Sequence, residues 1–279
     1  MKTEPIALQV PYEKFSLDAP EQPAVLEPVT LPHSDENGTK SRPAVIICPG
    51  GGYDFCSDRE GIPVALRFAG YAVQAFVLWY HCKRPFPSEL AELAAAVQYV
   101  RTHAAEYEVD PERIMVLGFS AGAHLAGSLA VYWNRPLLAD VYGADCRPNG
   151  QILCYPVITA GEFAHRGSIA NLIGAEEAEH YAENPKADAV SLEKQVSADT
   201  PPCFLWHTSD DNAVPVQNSI LYMNALAAAG VPFAAHIYPH GSHGLSFADE
   251  TTAMGDWHMV PVCAQWFTDC IAWIRRYCH

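Results

Sequence analysis

From residue 43 onward, short apolar runs alternate with stretches whose apolar positions repeat on one side only. Ala44–Cys48 reads AVIIC, β-branched and without a polar face, as a strand covered on both sides requires. A helix of about ten residues ends at Gly70, and Ala72–Leu78 is the next strand. Ser88–Ala105 places Leu90, Leu93, Ala94, Val97 and Val100 on one helical face. Asp110-Pro111 interrupts the chain before a strand at Ile114–Phe119, and Ala121–Val131 is an Ala- and Leu-rich helix. Further strands are expected at Ile152–Tyr155, Cys203–His207 and Phe233–Tyr238. A helix from Val216 to Ala229 is closed by Gly230 as a C-cap signal. The tail from Val260 spaces Trp266, Phe267, Cys270, Ile271 and Ile274 as a helix would.

Strands alternating with helices predict an α/β fold: a mostly parallel central sheet with helices on both faces. The whole chain, 1–279, reads as a single domain. Residues 1–42 are Pro- and Glu-rich and predict one or two N-terminal strands, with a turn at Glu36-Asn37-Gly38. Residues 158–198 lie between two core strands and are polar and Ala/Glu-rich, which predicts a small cap or lid over a site.

Composition narrows this further. Lys+Arg number 17 and Asp+Glu 32, giving a net charge of −15. That balance argues against a nucleic-acid partner, because phosphate binding needs clustered cations. The N-terminus lacks a signal peptide's apolar segment, and no apolar run approaches a membrane span, so a cytoplasmic protein without a membrane partner is expected. The nine cysteines form no CxxC pair and read as reduced thiols.

The sharpest motif is Gly118-Phe119-Ser120-Ala121-Gly122, set between a strand and a helix. In that setting Gly-x-Ser-x-Gly is a nucleophile elbow: a tight turn lifts the Ser120 hydroxyl to the sheet edge. The flanking glycines are needed because a Cβ there would meet the neighbouring strand and helix. Cys48-Pro49-Gly50-Gly51-Gly52-Tyr53 follows the first core strand, in the place of an esterase oxyanion loop. Pro49 stands where such loops often carry a bracing His. Gly51, Gly52 and the Ala121 N–H are the candidate oxyanion donors. A phosphate-binding loop would need a following Gly-Lys-Ser/Thr, which is missing.

Such an elbow needs an acid and then a base, in that chain order. After the strand CFLWH come two adjacent carboxylates, Asp210 and Asp211. After the last strand come two histidines, His240 and His243. Periodicity and charge choose within neither pair. The two histidines could also hold a metal, but zinc requires a third protein ligand that the sequence does not place, so no metal is expected.

These residues resemble the α/β-hydrolase esterases of the acetyl xylan esterase group. Pro49-Gly50-Gly51-Gly52-Tyr53 with Arg59-Glu60-Gly61 is similar to that group's opening motif. GFSAGAHLAGS resembles its elbow, with Ala123 in place of a glycine. Tyr155-Pro156-Val157-Ile158, His165-Arg166-Gly167-Ser168, TPPCFLWHTSDDNAVPVQNS and HGSHGLSF resemble later segments in family order, from about residue 43 to the C-terminus. The resemblance implies that Asp211 is the acid and His243 the base, leaving Asp210 and His240 as neighbours that orient or tune them. It implies a serine esterase without cofactor that removes acetyl groups from xylo-oligosaccharides or related sugars through an acyl-enzyme. A short-chain carboxylesterase without sugar preference would use the same residues. A serine peptidase would need a large gating domain, and a non-catalytic binding module would be expected to have lost one of the three residues. Tyr53, Trp206 and Trp257, with Phe55 and Trp79, are candidates to stack on a sugar ring. The sequence leaves homo-oligomerisation open.

Overall fold

The computed structural model describes residues 4–36, 38 and 40–277. Its strands are β1 (Ile6–Ala7), β2 (Val25–Val29), β3 (Arg42–Cys48), β4 (Gln74–Trp79), β5 (Val109–Phe119), β6 (Gly150–Cys154), β7 (Cys203–Thr208) and β8 (Phe233–Tyr238). They form one eight-stranded sheet in the order β1-β2-β4-β3-β5-β6-β7-β8. Neighbours from β4 to β8 run parallel, and β1 and β2 add an antiparallel edge. This is an α/β-hydrolase sheet, and β1 and β2 lie within residues 1–42, where the sequence predicts one or two strands.

The helices are α1 (Ile62–Gly70), α2 (Ser88–Thr102), α3 (Ala121–Tyr132), α4 (Pro136–Tyr142), α5 (Arg166–Ile173), α6 (Ala175–Glu179), α7 (Pro185–Ala189), α8 (Gln217–Ala228), α9 (Pro261–Ala264) and α10 (Trp266–Tyr277). Because side chains alternate across a strand, each strand feeds two cores. Ala44, Ile46 and Cys48 of β3 face a core shared with α2, α3 and α8. Val45 and Ile47 face the opposite core, shared with α1 and α10. Ile46 and Ile47 have no exposed surface, and burial of each contributes about 1.5–3 kcal/mol. This double burial is why the strands read as unbroken apolar runs.

β5 starts earlier than predicted. Arg42 pairs with Val109, but Ala44 pairs with Ile114, so residues 110–113 bulge out of the ladder. Asp110 Oδ1 accepts the Glu112 N–H at 3.0 Å, and Pro111 has no N–H to offer a neighbouring strand. Asn37 of the predicted turn lies outside the described residues; beside it, the Gly38 N–H donates to the Asp35 carbonyl at 3.3 Å. Cys278 also lies outside them, and the other eight cysteines are free thiols. Among the described residues no helix is long and apolar enough to cross a membrane.

Candidate active site

The C-terminal ends of the parallel strands gather around one cleft of about 680 Å³. Open α/β sheets place ligands at such an edge, and the volume suits a small-molecule ligand. Ser120 follows β5, Asp211 follows β7, His243 follows β8, and the glycine loop follows β3. The segment predicted as a cap folds into α5, α6 and α7, and its His165, Gly167, Ala170 and Asn171 form one wall of the cleft.

Ser120 has φ 54° and ψ −117°, a conformation that costs a non-glycine residue about 1–3 kcal/mol. The surrounding backbone holds it there. The Ser120 N–H donates to the Cys154 carbonyl at 3.0 Å, and the Ser120 carbonyl accepts from Ala123, His124 and Val157. The elbow glycines are required for the reason the sequence suggested. A Cβ on Gly118 would lie 2.0 Å from the Gly122 carbonyl oxygen, and one on Gly122 would lie 2.1 Å from that of Cys48.

The structure joins Ser120, His243 and Asp211 in a hydrogen-bonded line. Ser120 Oγ lies 2.8 Å from His243 Nε2, and His243 Nδ1 lies 2.7 Å from Asp211 Oδ2. A carboxylate only accepts, so Nδ1 carries the imidazole proton and Nε2 offers its lone pair to the serine. Asp211 Oδ1 accepts the N–H groups of Ala213 and Val214, both at 2.9 Å. Burial alone would raise the Asp211 pKa, but hydrogen bonds from His207 and His243 hold it well below the ordinary carboxylate range.

Asp210 does something else. Its Oδ1 accepts the Gly241 N–H at 2.8 Å and its Oδ2 faces His240 Nδ1 at 3.0 Å, on the exposed side of the turn. The Asp210–His240 pair therefore fastens the loop that carries His243.

The glycine loop has braces other than the missing histidine. Tyr80 Oη donates to the Pro49 carbonyl (2.6 Å), Asn171 Nδ2 to that of Gly52 (2.9 Å), and the Lys83 N–H to that of Tyr53 (2.9 Å). Glu60 Oε2 accepts the Gly50 N–H at 2.8 Å. With these groups tied back, the N–H groups of Gly51, Gly52 and Ala121 have no internal acceptor among the described residues. Gly51 sits at φ +127° and Gly52 at φ +68°, and a Cβ on Gly51 would lie 2.0 Å from the Phe55 carbonyl oxygen. Ala121 opens α3, so the positive end of the helix dipole faces the same place.

A family model described as BD-FAE matches residues 31–226. The chain belongs to the BD-FAE family. It is 40% identical over 231 residues to endo-1,4-beta-xylanase B of Butyrivibrio fibrisolvens, covering 77% of this chain and 34% of that protein. It is 31% identical over 211 residues to the acetylxylan esterase of Xylanibacter ruminicola, covering 73% and 41%. The chain thus spans well under half the length of these relatives. A solved structure, the acetyl ester-xyloside bifunctional hydrolase of Caldicellulosiruptor lactoaceticus, superposes with a TM-score of 0.78 at 37% identity. That match covers 96% of this chain and 97% of the other.

In this BD-FAE chain the aromatic residues expected to stack on a sugar need correction. Trp206 is fully buried, packed on Tyr155, Tyr238 and Trp266. It shares the inward parity of Phe204 on β7, so it fills the core. Tyr53 is also buried, its hydroxyl 2.8 Å from His124 Nδ1. Trp257 is exposed but packs on His258 at 3.7 Å and is not part of the cleft wall. Trp79 is held by Glu27. Only Phe55 lines the cleft.

Three side chains of this BD-FAE site carried no assigned role in the sequence. His207 on β7 donates from Nε2 toward Asp211 Oδ2 (3.2 Å) and the Val214 carbonyl (3.0 Å), while its Nδ1 meets Ser219 Oγ (2.8 Å). Glu60 Oε1 accepts from Tyr155 Oη at 2.6 Å, and Tyr155 Oη accepts the Ser246 N–H at 2.9 Å. The Tyr155 ring packs edge-on against His243, with centroids 5.1 Å apart. Burial raises the Glu60 pKa, and the hydrogen bonds from Tyr155 and Gly50 pull it back. The Arg-Glu-Gly segment was the available signal for Glu60. His207 could have been suspected only from its spacing, four residues before Asp211.

Proposed function

We propose that the chain is a serine esterase that removes acetyl or other short acyl groups from sugars, with acetylated xylo-oligosaccharides as the candidate substrates. One observation carries the chemical part: the Ser120–His243–Asp211 line, at 2.8 and 2.7 Å, opens onto a cleft flanked by unpartnered loop N–H groups. The sugar part rests on the kinship with an acetylxylan esterase and an acetyl ester-xyloside hydrolase.

His243 Nε2 takes the Ser120 proton as Oγ attacks the acyl carbonyl carbon. The carbonyl oxygen becomes an oxyanion and takes hydrogen bonds from Gly51, Gly52 and Ala121 N–H. One such donor is worth roughly 3–4 kcal/mol in the transition state. Asp211 keeps the imidazole proton on Nδ1 and stabilises the imidazolium. As the tetrahedral intermediate collapses, the sugar oxygen leaves with the proton from Nε2. Water, deprotonated by the same nitrogen, then attacks the acyl-serine and frees acetate.

Acetate release from a panel of acetylated xylosides and xylo-oligosaccharides, beside 4-nitrophenyl acetate, tests the proposal. Release from the sugars, with a roughly 10⁶-fold fall in kcat for Ser120→Ala, is the expected result. Hydrolysis that survives Ser120→Ala would sink the serine mechanism. Activity on the aryl ester alone would leave a carboxylesterase without sugar preference.

A further inference from the structure

His165 sits at the mouth of α5, and its ring does two jobs at once. Nδ1 accepts the Ser168 N–H at 3.3 Å, so the side chain is the helix N-cap. Ser168 Oγ, on a fully buried side chain, lies 2.8 Å from the same nitrogen. A backbone N–H can only donate, so Nδ1 must hold a lone pair. In the neutral ring the proton is then on Nε2.

That Nε2–H has no acceptor among the described residues, and His165 lines the cleft with Ser120, His243 and Gly244. The segment around it is stiff. Arg166 donates to the carbonyls of Ala160, Gly161 and Ala178 at 2.7–3.0 Å and lies 4.2 Å over the Tyr181 ring. Burial, and after it the proximity of His243, lowers the His165 pKa, which favours the neutral ring. The donor is thus fixed in tautomer and in place before any ligand arrives.

We infer that His165 is a specificity residue whose Nε2–H donates to an oxygen of the alcohol portion of the substrate, next to the carbon that bears the ester. The inference rests on the esterase reading above. His243 Nε2 hands its proton to the leaving oxygen, so the alcohol portion lies beside His243, and His165 is close enough to feel that ring. A sugar or polyol always offers a neighbouring hydroxyl or ring oxygen there. Phenyl and simple alkyl acetates do not, and with them a donor placed for hydrogen bonding stays unmatched.

Two acetates that differ in one oxygen isolate the effect: trans-2-hydroxycyclohexyl acetate and cyclohexyl acetate. The quantity measured is the ratio of their kcat/KM values in the wild type, in His165→Asn and in His165→Phe. Asn is itself a preferred N-cap and preserves the start of α5; Phe preserves the ring's bulk. Both lack the Nε2–H. Wild type is expected to prefer the hydroxylated ester, and that preference is expected to fall roughly 3- to 10-fold in both variants, as for loss of one neutral hydrogen bond. A merely structural role would lower both rates together and leave the ratio alone. An unchanged ratio in either variant, or a wild type that hydrolyses both esters without preference, overturns the inference and leaves the esterase reading standing. A wild type that hydrolyses neither ester, nor 4-nitrophenyl acetate, overturns both.

Discussion

Asp210 and Asp211 are neighbours in sequence with separate tasks, because one turn points them to opposite sides. Asp211 is turned inward, where two backbone N–H groups and two imidazoles hold its oxygens. Asp210 is turned outward onto His240 and Gly241. Asp211→Asn is expected to lower kcat roughly 10⁴-fold, because an amide can donate to Nδ1 and so stabilise the wrong tautomer. Asp210→Asn retains an acceptor for the Gly241 N–H and is expected to cost less than about tenfold, the worth of one exposed hydrogen bond. Steady-state kinetics on one ester decides both. The sequence alone left this pair tied, since side-chain direction is a property of the turn; family resemblance chose Asp211, and Asp211 is the carboxylate that lies 2.7 Å from His243 Nδ1. The aromatics failed for a related reason. Trp206 and Phe55 carry the same signal in a string of letters, yet one fills the core and the other lines the cleft.

At the scale of elements, the glycine loop and the histidine loop are separate in sequence and tied in space by Glu60, Tyr155 and Ser246. Arg59 adds a second tie, donating to the carbonyls of Gly244 (2.8 Å) and Thr252 (2.5 Å). Tyr155→Phe removes a donor to Glu60 and an acceptor from Ser246, leaving two buried polar groups without that partner. It is expected to destabilise the fold by about 1–3 kcal/mol and to lower kcat, read by urea unfolding and kinetics on the same preparation. Wild-type stability would show that water replaces the hydroxyl. A second element-level expectation concerns the loop itself. Gly51→Ala must move a Cβ away from the Phe55 carbonyl, so kcat is expected to fall roughly 10²-fold or more, as for loss of one oxyanion donor. Elements with strong periodicity were legible: the core strands other than β5, with α2, α3 and α8, stand within a few residues of expectation, and the single tail helix expected from Val260 is divided into α9 and α10. α4 to α7 were not, because helices of five to eight residues are too short to display a repeat. Neither was the β5 bulge, whose Asp110-Pro111 reads as a simple break.

At the scale of the molecule, α3 couples the nucleophile, the glycine loop and the insertion through one buried side chain. His124 Nε2 donates to the Val190 carbonyl at 2.8 Å, so its Nδ1 accepts from Tyr53 Oη, also at 2.8 Å. The bond from Tyr53 requires a neutral ring, whereas the bond to Val190 does not; burial outweighs the latter and pushes the His124 pKa down to about 4 from its ordinary 6.5. The consequence for stability has a definite sign. Between pH 6.5 and 4 the unfolded chain binds a proton at this position and the folded chain does not, so acid favours unfolding. The contribution is complete above pH 6.5 and is lost as pH falls toward 4. At 1.36 kcal/mol per pH unit it amounts to about 3 kcal/mol. His124→Gln cannot titrate in this range and retains a donor for Val190 and an acceptor for Tyr53. Unfolding free energies measured by urea at pH 7 and pH 4.5 are therefore expected to differ more in the wild type than in His124→Gln, with most of the roughly 3 kcal/mol appearing as the gap between the two changes. Equal changes would mean that the folded protein admits the proton at His124, and that burial and the bond from Tyr53 do not hold the ring neutral.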